Sequence, residues 1–187
     1  MRHTIQQILL SFIVLVVLSG CGSSLMTQVP TIPGPNTDEA MVTILWPSYF
    51  GGPTKISVWD GENFLGISTA RTYIQYRTKP GRHLFLARAE NWSYVEADLQ
   101  PGKNYYLVSR PLLGVLKCRV SLCPVRQTDY KVDQINTLLK DLTPVQVIPE
   151  KAARYANTLI DQVKEAIKAY ENGEDVRVLV LTPEDGI

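Results

Sequence analysis

The chain of 187 residues has little of what most enzymes need. It contains two histidines and three cysteines, which leaves few ligands for a zinc site or partners for a Cys–His pair. It has no P-loop, no Rossmann glycine fingerprint and no G-x-S-x-G nucleophile motif. A net charge of +1 with singly scattered basic residues argues against nucleic-acid binding. We therefore expect no catalytic residue, no metal and no cofactor.

A long apolar run is also missing. The apolar stretch at 8–18 has eleven residues, short of the roughly 20 that cross a bilayer. With Arg2 before it and Leu18-Ser19-Gly20-Cys21 after it, this segment is typical of a secretory signal peptide. The same four residues resemble a bacterial lipobox, which implies cleavage between Gly20 and Cys21 and acylation of Cys21. An uncleaved anchor and an ordinary cleaved signal are the alternatives.

An acylated Cys21 places the protein at a membrane, because several acyl chains together hold a protein there stably. Gly22 rather than Asp follows the cysteine, which resembles the outer-membrane address of Gram-negative lipoproteins. We expect an outer-membrane lipoprotein that faces the periplasm. Residues 22–40 contain three prolines and almost no apolar periodicity, so they predict a flexible tether with a reach of roughly 25 Å.

The sequence after residue 40 has the texture of a β domain. Asp60-Gly61 is a hairpin signal, and Lys79-Pro80-Gly81 and Pro101-Gly102 mark further turns. Eight short strands at regular spacing predict an antiparallel β-sandwich over residues 41–127. These strands are Met41–Trp46, Lys55–Asp60, Asn63–Ser68, Thr72–Arg77, His83–Ala89, Trp92–Leu99, Asn104–Arg110 and Val115–Cys123. The strand at His83 is apolar on both faces, so we expect it at the sheet centre or under a helix.

The last part of the chain, residues 128–187, changes to helical periodicity. A short helix near Asp133 and a longer one at 150–171 each carry one apolar stripe, and 176–181 reads as a buried strand that re-enters a sheet. The short helix contributes Ile135, Leu138, Leu139 and Leu142, and the long one Ala152, Ala156, Leu159, Ile160, Val163, Ile167 and Tyr170. We expect the long helix to cover the sandwich, with docking on a partner as the alternative. The fold class is thus mainly β with a C-terminal helical element, α+β.

Two stretches of the β region carry a family resemblance. Residues 59–66 with Thr72-Tyr73 and Pro80-Gly81-Arg82-His83, and later 101–106, follow the shape D-G, G, Y, P-G-x-H and P-G-x-x-Y-Y. They resemble a bacterial lipoprotein family of unknown function with a PEGA-like β-sandwich. The resemblance covers roughly residues 42–125 and implies the fold. It implies no catalytic residue.

Charge is unevenly distributed along the chain. Residues 41–127 contain 11 Lys or Arg against 5 Asp or Glu, and residues 128–187 contain 7 against 11. An acidic C-terminal element packed on a basic domain explains this asymmetry, and a basic face for an anionic lipid or glycan is the alternative.

Few side chains are candidates for chemistry. His83 is the single histidine after residue 20, and we expect it to begin a strand and hydrogen-bond locally. Glu90, Glu96 and Asp98 are the carboxylates a glycan hydrolase would use, although a solvated sheet edge explains them better. An envelope hydrolase is therefore the weakest functional hypothesis.

Cys118 and Cys123 are the other two thiols. On a continuous strand they would lie about 17 Å apart on opposite faces, whereas a disulfide needs Cα atoms within about 7 Å. A disulfide between them is possible only with a turn or bulge, so we expect free thiols, with Cys118 buried.

The aromatic residues suggest a binding face. Trp46, Tyr49 and Phe50 surround a Pro-Gly-rich loop, and Trp92 and Tyr94 share the less apolar face of one strand. The leading hypothesis is a non-catalytic accessory or interaction module with an envelope protein as partner. A glycan- or lipid-binding module that uses these five aromatics is the alternative.

Overall fold

The structure is a computed structural model that describes residues 25–115, 118–128, 132–174 and 177–187. Two α-helices lie in these ranges, α1 (Val132–Lys140) and α2 (Pro149–Glu171), and a 3-10 turn covers Pro183–Asp185. The strands are β1 (Met26–Gln28), β2 (Ala40–Trp46), β3 (Ile56–Asp60), β4 (Asn63–Ser68), β5 (Thr72–Thr78), β6 (Gly81–Arg88), β7 (Trp92–Leu99), β8 (Asn104–Leu113), β9 (Cys118–Pro124), β10 (Thr143–Val147) and β11 (Val178–Leu181).

The strands form two sheets that pack face to face. The six-stranded sheet has the order β1-β10-β5-β2-β8-β9, and the five-stranded sheet has the order β11-β7-β6-β3-β4. Alternate residues of both sheets, such as Val42 and Ile44 in β2 and Phe85 and Ala87 in β6, are buried between them. This arrangement confirms the predicted α+β sandwich.

The sheets are mixed, which corrects the expectation of an antiparallel sandwich. β2 pairs with β8 in parallel, as do β5 with β10 and β7 with β11. Parallel neighbours need long crossover connections, which here pass through the second sheet or through a helix. The last strand re-enters a sheet beside β7, as the apolar run near the C-terminus predicted.

Most strand boundaries agree with the sequence, but the eighth predicted strand does not. Asn63–Ser68 and Trp92–Leu99 coincide with β4 and β7. The strand expected at Val115–Cys123 instead begins at Cys118, which the register pairs with Leu113 of β8. Leu116 and Lys117 lie outside the described residues.

Helix α2 covers the outer face of the five-stranded sheet. Its Leu159, Val163 and Ala166 are buried against Trp59 of β3 and Leu86 of β6. The seven apolar residues expected in its stripe all belong to this contact, so the prediction that the helix covers the sandwich is confirmed. β6 is the third of five strands and lies under α2, which confirms the expectation for the strand at His83.

The outer face of the six-stranded sheet is covered in two parts. Helix α1 packs Ile135, Leu138 and Leu139 over Leu45, Tyr73 and Tyr106. Leu142, which was expected in the same helix, joins this cluster from a position after the helix end. The segment at 29–36 crosses the rest, where the Thr31 hydroxyl contacts the Tyr73 hydroxyl and the Ile32 amide donates to Gln75 Oε1 over 2.9 Å. α1 is much shorter than α2, so the two outer faces are not equally closed.

The predicted tether is therefore wrong for much of its length. β1 pairs antiparallel with β10, and the Met26 sulfur accepts a hydrogen bond from the Ile67 amide over 3.2 Å. Gly66, at φ 146°, makes room for this side chain, because a Cβ there would lie 2.7 Å from Met26 Cε. The sequence pattern did not predict this, because a three-residue strand has too few positions for an alternation signal. Residues 21–24 of the expected tether lie outside the described residues.

The edge of β9 is closed by side chains from the other sheet. Asn91 bonds both the amide and the carbonyl of Val120, over 2.8 and 3.0 Å, and the Ser93 hydroxyl accepts the Leu122 amide over 2.9 Å. Because an open edge strand invites pairing with other chains, this closure leaves little backbone there for strand addition.

Candidate functional site

His83 is part of a hydrogen-bonded cluster that links the two sheets. Its Nδ1 lies 2.8 Å from Asp60 Oδ2, which also accepts the Tyr76 hydroxyl over 3.1 Å. Asp60 and His83 belong to β3 and β6 in one sheet, and Tyr76 to β5 in the other. The hydrogen bond to Asp60 raises the pKa of His83 above its ordinary 6.5, against the opposing effect of burial.

In this geometry, neither ring nitrogen of His83 has a lone pair that is available to accept a proton from a substrate. Its Nε2 lies 2.8 Å from the carbonyl oxygen of Lys79, which can only accept, so Nε2 carries a proton. With Nδ1 facing a carboxylate, both nitrogens are occupied, and the imidazolium form fits best. A general base needs a free nitrogen near a substrate, so this cluster is suited to holding the sheets together.

The three candidate carboxylates do not make an acid–base site. Glu96 and Asp98 line one open cleft beside Arg82, but both side chains are exposed, and Glu96 accepts the Tyr170 hydroxyl over 2.7 Å. That hydrogen bond raises the pKa of Tyr170. Glu90 lies elsewhere, at the turn whose backbone contacts Cys118. A general acid near neutral pH needs a buried carboxyl, which these exposed groups do not provide.

Metal and thiol chemistry also have little support. In the part of the chain that the structure describes, no group of His, Cys, Asp and Glu is arranged to hold a metal ion. Cys118 and Cys123 are both free thiols on β9. Cys118 is half-buried rather than buried as expected, because its place at the start of β9 exposes one side. Its thiol donates to the Leu112 carbonyl over 3.2 Å.

The five aromatics of the predicted binding face lie in three different environments. Trp46 is fully buried between the sheets, and Tyr94 is buried under α2, where it stacks on Tyr170. Trp92 is half-buried, with Arg88 over its ring. Tyr49 and Phe50 are exposed on the loop after β2. The prediction of one common aromatic face is therefore wrong, and only its loop portion is accessible.

A pocket of about 300 Å³ opens beside this loop, on the outer face of the six-stranded sheet. Leu45 and Val108 line its floor, Ile135 and Leu138 of α1 form one wall, and Phe50 stands at its mouth. The size lies at the low end for ligand pockets, and the lining is mostly apolar as such pockets require. Parallel pairing of β2 with β8 creates this pocket by joining two segments about sixty residues apart in the chain.

Tyr106 is one of the few polar residues that line this pocket. It is nine-tenths buried, and burial raises the pKa of its phenol, which therefore stays neutral. Among the described residues, nothing hydrogen-bonds to its hydroxyl; the fully buried hydroxyl of this pocket that has no partner there belongs to Ser109, although most buried hydroxyls have one.

Exposed apolar side chains concentrate around the pocket mouth. Of seven large apolar side chains that are exposed in the described ranges, five belong to the loop after β2, to the end of β8 and to the residues that follow it. We call these five the apolar pole: Tyr49 (78% exposed), Phe50 (53%), Leu112 (47%), Leu113 (85%) and Val115 (92%). The two segments meet where Gly51 packs on Pro111. A cluster of this kind marks an interaction surface more often than scattered apolar residues do.

The sequence prediction included two of the five pole residues and missed three. It identified Tyr49 and Phe50 but placed Val115 in a strand and assigned no role to Leu112 and Leu113. The signal was present: Pro111-Leu112-Leu113-Gly114-Val115 is an apolar stretch at a strand connection, where polar turn residues are the norm.

The predicted lipidation site, Cys21, lies outside the described residues. None of the described helices is both long and apolar enough to cross a membrane. In comparisons with known proteins, no family model matches the chain, and the curated proteins searched give no match either. The resemblance to PEGA-like lipoproteins therefore stays a prediction.

Proposed function

We propose that the chain is a lipid-anchored, non-catalytic binding protein of the bacterial outer membrane, held there through an acylated Cys21 and facing the periplasm. Its accessory role is to engage another envelope component through the apolar pole. The observation that carries this proposal is the concentration of five exposed apolar side chains around a 300 Å³ pocket. Elsewhere in the described residues, the helices and the segment at 29–36 cover the outer faces of the sheets.

The contacts and exposure of the candidate catalytic side chains support a non-catalytic function. His83 has both ring nitrogens hydrogen-bonded, and Glu96 and Asp98 are exposed. A glycan platform is disfavoured because Trp46 and Tyr94 are buried. An envelope protein and the bilayer itself are the occupants that suit an apolar pole.

The anchor is tested by metabolic labelling with palmitate. The wild-type protein should incorporate the label and fractionate with the outer membrane, and Cys21→Ser should lose both properties. Labelling of the Cys21→Ser variant would contradict acylation at this residue.

The pole is tested by a photo-cross-linking amino acid at position 113, in cells. Position 180 is the matched control, because Val180 is apolar and exposed but lies on β11, outside the pole. We expect adducts with protein or lipid at 113 and few at 180. Equal adduct yields at the two positions would show that the pole is not engaged.

A further inference from the structure

We propose that the apolar pole docks on the anionic surface of a lipid bilayer, with Phe50, Leu113 and Val115 entering the interface. This inference rests on the proposed function and names the occupant of the same surface. Three observations favour a bilayer over a protein partner: the charge around the pole, the exposed apolar tip of the β8–β9 hairpin and the short reach of the predicted anchor.

The first observation is charge. The two segments that form the pole, residues 47–55 and 110–119, contain no acidic residue and four basic ones. Arg110 and Arg119 lie on the outer face of the β8–β9 hairpin, beside the pocket, and are exposed. Within the described residues neither guanidinium has an ion-pair or hydrogen-bond partner. The acidic residue Glu90 lies on the adjacent turn after β6, where its amide donates to the Cys118 carbonyl over 3.1 Å, near the tip of the hairpin.

Unpaired arginines beside exposed apolar side chains fit a membrane surface. Anionic lipid headgroups attract basic side chains, while apolar side chains gain by leaving water for the interfacial region. Arginine is well suited to this, because its guanidinium binds phosphate with two parallel hydrogen bonds. A protein partner would need acidic groups matched to two specific positions, whereas a bilayer supplies phosphates at any position.

The second observation is shape. β2 and β8 pair only as far as Leu45 with Val108, and β8 continues for five more residues to Leu113. At about 3.4 Å per residue, the hairpin extends roughly 17 Å past the last of these paired residues. Leu113 and Val115 at its tip are the two most exposed large apolar side chains of the described residues. Along its flanks the hairpin packs on Gly51 and on the turn at Glu90, so its tip offers these exposed side chains as an apolar contact for a flat surface.

The third observation is the distance to the anchor. β1 begins at Met26 and is fixed to the domain by its pairing with β10. Met26 is five residues after Cys21, a length that spans at most about 18 Å even when fully extended. An acylated Cys21 would therefore keep the domain near the bilayer, with β1 at one edge of the six-stranded sheet and the β8–β9 hairpin at the other.

The test uses the mature chain with Cys21→Ser, so that acyl chains cannot contribute to binding. It is mixed with vesicles of phosphatidylethanolamine and phosphatidylglycerol, and with phosphatidylcholine vesicles as the neutral comparison. We expect partitioning onto the phosphatidylglycerol vesicles that weakens as salt is added, because exposed charges are screened.

Two kinds of variant localise the contact. Leu113→Asp should reduce partitioning at least about tenfold, and Val180→Asp is its matched control with no expected loss. Arg110→Glu and Arg119→Glu should each reduce partitioning about fivefold or more and flatten the salt dependence. Thermal unfolding of each variant shows that the fold is retained.

The outcomes separate the two proposals. Equal partitioning of Leu113→Asp and Val180→Asp, or no binding of the Cys21→Ser chain to anionic vesicles, overturns the inference. If the cross-linker at position 113 nevertheless captures one envelope protein in cells, the pole belongs to that protein and the proposed function stands. If position 113 gives no adduct with either protein or lipid, the proposed function fails as well.

Discussion

The outer faces of the two sheets both carry apolar side chains, but the fold covers these two faces to different extents. Each sheet presents buried-type side chains away from the central core, among them Trp59 and Leu86 on one face and Leu45 and Tyr106 on the other. The 23-residue α2 covers the first face, while the second has the nine-residue α1 and an extended segment. The shorter cover leaves a pocket and an exposed apolar pole. Because the fold covers most of its outer apolar surface, we expect an external contact at the part that stays exposed.

The largest effect should come from the closed face. Trp59→Ala removes a fully buried ring whose Nε1 donates to Ser57 Oγ over 3.2 Å, so unfolding free energy should fall by about 3–5 kcal/mol. The matched change at the pole, Phe50→Ala, should alter it by less than about 0.5 kcal/mol. Urea unfolding followed by circular dichroism measures both. Similar losses at the two positions would mean that the pole is part of the core.

A second comparison concerns two adjacent glycines of the pole loop. Gly51 has φ 81°, and a Cβ there would lie 2.8 Å from Pro111 Cβ and 3.1 Å from Trp46 Cζ2, whereas the nearest atom at Gly52 is 3.8 Å away. Gly51→Ala should therefore cost about 2–3 kcal/mol and separate the loop from the hairpin. Gly52→Ala should cost much less. If both variants unfold at the same urea concentration, the close approach of loop and hairpin is not real.

The fold was predictable where local chemistry determined it. Turn residues such as Asp60-Gly61 fixed β3 and β4, and apolar periodicity fixed the face of α2. β10 was missed because Pro144 interrupts a strand of five residues, and it pairs with β5, some seventy residues earlier. The pocket was not predictable for the same reason, since no local pattern reports which strands become neighbours. The exposed hairpin tip could have been predicted from the sequence, because it is an apolar stretch at a turn.

Replacing His83 should change the unfolding free energy by an intermediate amount that depends on pH. Its pKa is raised in the folded protein, so the added stability is fully present below the unfolded value near 6.5 and is lost as the pH rises through the folded value. His83→Gln should lower the unfolding free energy by about 1–3 kcal/mol at pH 5.5–6. The difference from wild type should shrink on going to alkaline pH. A difference that grows with pH would contradict the imidazolium–carboxylate assignment.

The smallest effect separates two tyrosines on the six-stranded sheet. Tyr76 donates to Asp60, so Tyr76→Phe should cost about 0.5–1.5 kcal/mol. The Tyr106 hydroxyl lies in the pocket and has no partner among the described residues, so Tyr106→Phe should be neutral or slightly stabilising. Thermal unfolding of the pair resolves the difference. A clear loss in Tyr106→Phe would show that its hydroxyl supports the fold.

Amide hydrogen exchange of the mature Cys21→Ser chain, with and without phosphatidylglycerol vesicles, compares the two faces most directly. We expect the vesicles to add protection against exchange in the loop after β2 and in residues 110–115, and to leave α2 unchanged. Protection along α2, or no vesicle-dependent change at the pole, would contradict the claim that the uncovered face makes the external contact.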